Sequence, residues 1–151
     1  MYWLHPPINS FKLNVDTSIF THLDFFRVSA VIRNDLGLPV VALAKVCRGS
    51  VFMDVAEAIA VLEGVLLVVE RNLFPLFIEY VSLSMVQLCR GEVLSKAVVG
   101  TVDQEILTCL ADRIDVFMSF IPKTCNVVAH TIVYKARSCF LSSVLDGDFP
   151  G

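Results

Sequence analysis

Apolar and polar residues alternate from Phe11 to Asp16: Phe11, Leu13 and Val15 fall on one side, Lys12, Asn14 and Asp16 on the other. A period of two puts successive side chains on opposite faces of a strand, so this segment is predicted to be a strand with one face in a core. Val28 and Ala30 keep the same period within 26–32. Asn34-Asp35-Leu36-Gly37 then supplies turn chemistry, with a glycine available for positive φ. Leu38 to Val46 returns as a third strand, and the three together predict an antiparallel meander. Ahead of them, residues 1–10 hold Trp3, Pro6 and Pro7 and read as an irregular lead-in.

The period changes at Asp54. Val55, Ile59, Leu62, Leu66 and Val69 recur at helical spacing to about Arg71. Asp54 and Glu57 have the spacing of a capping box, which would satisfy the first free amides of a helix. Gly64 inside this run costs about 1 kcal/mol of helix propensity, and close packing would explain it. Asn72 and Pro75 break the run. A fourth strand is predicted over Phe74–Val81, with Ser82 capping a short helix through Leu88. Residues 91–101 carry the least pattern. A helix over about Asp103–Arg113 follows, then a fifth strand over Val116–Ile121 that Pro122 ends. Asn126 caps a last helix running to about Leu141, and residues 142–151 are predicted to fray. This order implies an α/β domain over 11–141. Its mixed five-stranded sheet has three antiparallel strands, then parallel ones, flanked by helices.

Composition narrows the setting. With 56% hydrophobic residues and a mean hydropathy of +0.71, the chain is unusually apolar. Yet a charged residue interrupts every apolar stretch before the roughly 20 residues that a bilayer span needs. The excess therefore predicts strands covered on both faces, or a sticky surface, and no membrane. Net charge is −3, and the twelve Lys and Arg are scattered with no basic run. A nucleic-acid binder usually carries a basic face, because neutralising phosphates supplies much of its affinity, so the charge argues against strong binding of that kind. Five cysteines without a CxxC pair predict reduced, packed thiols, hence a nuclear or cytoplasmic protein with no zinc site.

Several stretches, in order, carry a resemblance. They are WLHPPINSFKLNVD (Trp3 to Asp16), AVIRNDLG (Ala30 to Gly37), Ala56-Glu57-Ala58 and IPKTCNVVAH (Ile121 to His130), with IEYVSLSMVQL lying before the last. Together they resemble the plant-type ribonuclease H-like domain of the reverse-transcriptase-like family, found in non-LTR retroelements and their host-encoded relatives. That resemblance implies hydrolysis of the RNA strand of an RNA–DNA hybrid by two Mg²⁺ (or Mn²⁺) ions held on carboxylates, which activate water and stabilise the leaving oxygen. Magnesium is hard and prefers oxygen, so clustered acids on rigid elements suit it.

Transferred residue by residue, the resemblance makes Asp16 and Glu57 the first two metal-binding acids. The third position is Val81, and the fourth is His130, a catalytic position where members of this type often carry histidine. Asn14, Thr17, Ser82, Lys123 and Asn126 fall on positions expected to contact nucleic acid. Thr17, Tyr80 and Lys123 depart from the family's Gly, Ser and Arg. Two of four acid positions keep a carboxylate, so hydrolysis is expected to be weak or lost. The alternatives are a non-catalytic domain that binds a protein partner, or a drifted retroelement-derived copy without a selected activity. Residue by residue, simpler readings compete: Asp16 as a polar strand end, Glu57 as a helix-start acid, His130 as a structural residue and Asn126 as a cap.

Overall fold

A computed structural model describes residues 3–80, 97–120 and 143–146. The predicted meander is present and longer than its alternating cores: β1 (Phe11–Phe20), β2 (Phe25–Arg33) and β3 (Pro39–Arg48). A short 3₁₀ turn, Thr21–Leu23, joins the first two. At the other end, Asn34 Oδ1 accepts the amides of Leu36 and Leu38, and Gly37 sits at φ +79°, so the turn forms on the residues expected to make it. Helix α1 (Met53–Arg71) leads to β4 (Leu76–Tyr80), which lies parallel to β1. Helix α2 (Ala97–Cys109) leads to β5 (Val116–Phe120), parallel to β4. With a sixth strand, β6 (Ser143–Asp146), the sheet order is β5-β4-β1-β2-β3-β6, which matches the expected mixed sheet and extends it by one strand.

That sixth strand is a correction. β6 (Ser143–Asp146) pairs antiparallel with β3, in a stretch predicted to fray. Its ladder contacts are non-local, so nothing in the local pattern announces them. Helix α2 is also displaced from its expected span. It begins at Ala97, within the stretch of least pattern, and ends at Cys109. The short helix expected over 82–88 and the final helix expected over 126–141 lie outside the described residues.

Helix α1 forms where expected but presents a different face. Ala58, Val61, Gly64, Val65 and Val68 are buried, whereas Leu66 and Val69 are nearly half exposed. The helix is apolar around most of its circumference, because it packs on both the sheet and α2. Hydrophobic spacing therefore cannot set its rotation. Small residues face the sheet instead, and a Cβ on Gly64 would lie 2.7 Å from Leu13 Cδ1. The expected capping box is absent too. The N-cap is Phe52, which offers no side-chain acceptor, and Asp54 accepts only the amide of Val55. Asn72 ends the helix in the left-handed conformation, as its sequence signal predicts.

Strand alternation sorts the sheet into two faces. Leu13, Val15, Val28, Ala30, Ile32, Val41, Leu43 and Ile78 line the first face and share one core with α1 and Ile106 of α2. The second face is buried yet polar, with Lys12, Asn14, Arg27, Ser29, Arg33 and Glu79 all nearly inaccessible.

Candidate functional site

Asp16 sits half-buried in the middle of β1, opposite Ser29 on β2. The last β1–β4 pair is Asn14 with Glu79, so Asp16 lies just beyond the carboxyl end of the described pairing. In open α/β sheets the crevice beyond such strand ends, at a reversal of strand order, is the usual ligand site. β1 is that reversal, with β2 antiparallel on one side and β4 parallel on the other.

Glu57 approaches the same level from α1. Gly64 meets Leu13, and Glu57 is two turns earlier on the same stripe, about 10 Å along the axis at 1.5 Å per residue. Asp16 is three residues beyond Leu13, also about 10 Å along its strand. The directions agree, because the Thr17 hydroxyl donates to Met53 Sδ at 3.2 Å, tying this stretch of β1 to the first turn of α1. The two expected acids thus lie at about one level along β1, Glu57 on the side of the sheet that α1 covers and Asp16 on the strand face shared with Lys12 and Asn14. Each makes contacts of its own with neighbouring groups. Thr17, expected at a nucleic-acid contact, is engaged by that methionine.

Two carboxylates are a donor set that Mg²⁺ accepts, usually completed by water and substrate phosphate. Among the described residues no three His, Cys, Asp or Glu side chains gather into a metal-binding group. Val81, Ser82, Lys123, Asn126 and His130 lie outside the described residues.

Asn14 departs from its expected role. It is completely buried, and its amide joins three partners on the second face: Trp3 Nε1 and an Arg33 guanidinium nitrogen each donate to Oδ1 at 3.0 Å, while Nδ2 donates to Glu79 Oε1 at 3.0 Å. These bonds occupy the side chain, so it is not presented to a nucleic acid. Lys12 completes the cluster, donating to Glu79 Oε2 at 3.2 Å and to the Leu4 carbonyl at 2.6 Å. The Trp3 ring lies over both cations, 3.7 Å from the Arg33 guanidinium carbon and 5.0 Å from Lys12 Nζ. Burial lowers the Arg33 pKa to about 10, and the Glu79 carboxylate opposes that shift. The sequence pattern leaves Trp3 in an irregular lead-in and the Lys12–Glu79 pair unseen. The available signal is the polar run Lys12, Asn14, Asp16 on one face of a strand, which has to find partners if that face is covered.

A second recess, of about 500 Å³, opens between the end of α2 and β5, lined by Ile106, Leu110, Arg113, Phe117 and Met118 among others. It contains neither Asp16 nor Glu57 and is at the far end of the sheet from β3.

Comparison with known proteins agrees with this architecture. Residues 21–136 match the family model described as reverse transcriptase-like. The chain superposes on ribonuclease H1 from the halophilic archaeon Halobacterium salinarum NRC-1 with a TM-score of 0.78 at 13% identity, over 86% of this chain and 98% of that one. It superposes on LC11-RNase H1 in complex with an RNA/DNA hybrid with a TM-score of 0.76 at 15% identity, over 87% and 100%. The prototype foamy virus protease–reverse transcriptase is matched with a TM-score of 0.66 at 14% identity, over 83% of this chain and 20% of that larger one. At such identities the likeness is one of fold: ribonuclease H-like. No curated protein matches.

Proposed function

Because the chain belongs to the reverse transcriptase-like family, we propose that it is a ribonuclease H-type domain that associates with nucleic acid, RNA–DNA hybrids first, and that its hydrolytic activity is weak or lost. The motif Trp3, Pro6-Pro7 and Lys12-Leu-Asn-Val-Asp16 favours the branch found in plant non-LTR retroelements. Support for the hybrid comes from a neighbour of the same fold, LC11-RNase H1, whose structure is with that ligand.

One observation carries the loss of activity. The family resemblance asks for a third carboxylate at the position occupied by Val81, beside Asp16 and Glu57. When bound between carboxylates, Mg²⁺ or Mn²⁺ activates water and stabilises charge developing on phosphate oxygens. Asp16 and Glu57 are the residues that would hold it. Removing even a group that only supports a ligand typically costs 10- to 100-fold in metal affinity or activity, and a missing ligand costs more.

The test is Val81→Asp. Calorimetric titration with Mn²⁺ should show affinity rising by about tenfold or more, and some cleavage of a labelled hybrid should return. The wild-type chain should cleave no faster than its Asp16→Asn variant; clear Mn²⁺-dependent cleavage above that control refutes the loss. A second reading, a domain that binds a protein partner, is favoured by the net charge of −3 and by Asn14 being engaged inside the protein. Binding to a hybrid that does not weaken with added salt would select it, because phosphate contacts are salt-sensitive.

A further inference from the structure

We propose that residues 3–10 form a releasable lid whose Trp3 indole covers a two-cation phosphate site, Lys12 with Arg33, on the second face of the sheet. This deepens the nucleic-acid reading above and rests on it for the identity of the ligand. Lys12 and Arg33 are 6% and 7% exposed, unusual for such residues, and a half-buried tryptophan lies over both. Buried cations are normally matched by acids. Within this cluster the two cations share one carboxylate, Glu79, and Arg33 Nε has no hydrogen-bond partner among the described residues. Among the described residues, the groups under Trp3 therefore carry one positive charge in excess. An anion would balance it.

The cover is lightly held. Only Pro6 and Ser10 are buried in the lid, Trp3 is partly so, and Leu4, His5, Pro7, Ile8 and Asn9 are exposed. Among the described residues its anchors are the Lys12 bond to the Leu4 carbonyl, the Trp3 bond to Asn14 and its ring on Lys12 and Arg33, the Asn9 amide on Asp35 Oδ2 and the His5 ring against Gly37. Segments with so little buried apolar contact open locally at a fraction of the cost of global unfolding. Lifting the lid removes the Trp3 cover while Asn14 and Glu79 still hold Arg33 and Lys12 in place. Both cations stand on the face of the sheet that carries Asp16, two and four residues along β1 from Asn14 and Lys12 respectively. Phosphates seated there would extend a nucleic-acid track past the candidate site.

Trp3 is the only tryptophan in the sequence, so its fluorescence reports the lid alone. Acrylamide quenching of the full-length chain is measured as inorganic tripolyphosphate is added, with sodium chloride at matched ionic strength as control. Quenching should rise with tripolyphosphate and not with chloride. In parallel, binding to a labelled RNA–DNA hybrid is followed against salt. Trp3→Ala should steepen the dependence by up to about two in the log–log slope, roughly 0.9 for each additional phosphate contact. Trp3→Phe, which keeps a ring over the guanidinium, should return the wild-type slope. A tripolyphosphate response without any hybrid binding keeps the lid and removes the nucleic-acid reading. Hybrid binding with unchanged slopes and unchanged quenching removes the lid and keeps that reading. If Trp3→Ala fails to fold, quenching of the wild-type chain decides, and no rise there overturns the proposal.

Discussion

Asn14 is the residue on which most of the polar second face depends. Its one amide satisfies the Trp3 indole, a guanidinium nitrogen of Arg33 and an oxygen of Glu79. Asn14→Ala strands three buried polar groups at once. Each unsatisfied group costs about 1–3 kcal/mol, and more when charged, so a loss of about 3 kcal/mol or more in urea unfolding is expected. A loss below about 1 kcal/mol, the low end for a single such group, would mean that water reaches the cluster. Cys47 gives a separate test on the first face. Burial raises its thiol pKa, chiefly by penalising the thiolate; Lys45 opposes that shift and Glu63 adds to it. Since the thiolate is the reactive form, iodoacetamide at mildly alkaline pH should label Cys47 more slowly in the folded chain than in the urea-unfolded chain, read peptide by peptide. Equal rates would contradict the burial.

At the scale of elements, α1 shows how composition limits prediction. Its existence and its end at Asn72 follow from local chemistry, because an asparagine tolerates the left-handed conformation that stops a helix. Its rotation does not follow, since buried surface runs around both sides. Gly64 resolves the ambiguity in hindsight: with Leu13 pressed against it, this is the stripe where the sheet comes closest. The helix start is under-stabilised for a simple reason. Phe52 occupies the N-cap with extended backbone (φ −72°, ψ 157°) and is 84% exposed, so its ring packs little and caps nothing. Phe52→Ser supplies an acceptor for a free amide and should raise stability by about 1 kcal/mol. Thermal or urea unfolding checks this, and a decrease would show that the ring has a packing role.

For the whole molecule, the high hydropathy is explained by a sheet buried on both faces together with a scatter of exposed apolar residues such as Ile8, Phe52 and Ile114. No helix among the described residues is long and apolar enough to cross a membrane. Charge sets the expected strength of nucleic-acid binding. With a net charge of −3 and no basic run, the full chain should hold a hybrid no more tightly than about 10⁻⁶–10⁻⁴ M at physiological salt, the range of non-specific association. Titration at two salt concentrations measures this. Nanomolar affinity would reveal a phosphate track larger than Lys12 and Arg33 can supply.

Local pattern alone was enough to predict the five strands, the meander, the turn at Gly37 and the helix between β3 and β4, because period and turn chemistry act over a few residues. Asp16 and Glu57 stood out through the family resemblance alone. Other features depended on contacts between segments distant in sequence. The pairing of residues 143–146 with β3, the rotation of α1, and the union of Trp3, Asn14, Arg33 and Glu79 each join positions far apart along the chain. No periodicity encodes such meetings; they exist only once the sheet has brought its strands side by side and closed water out between them.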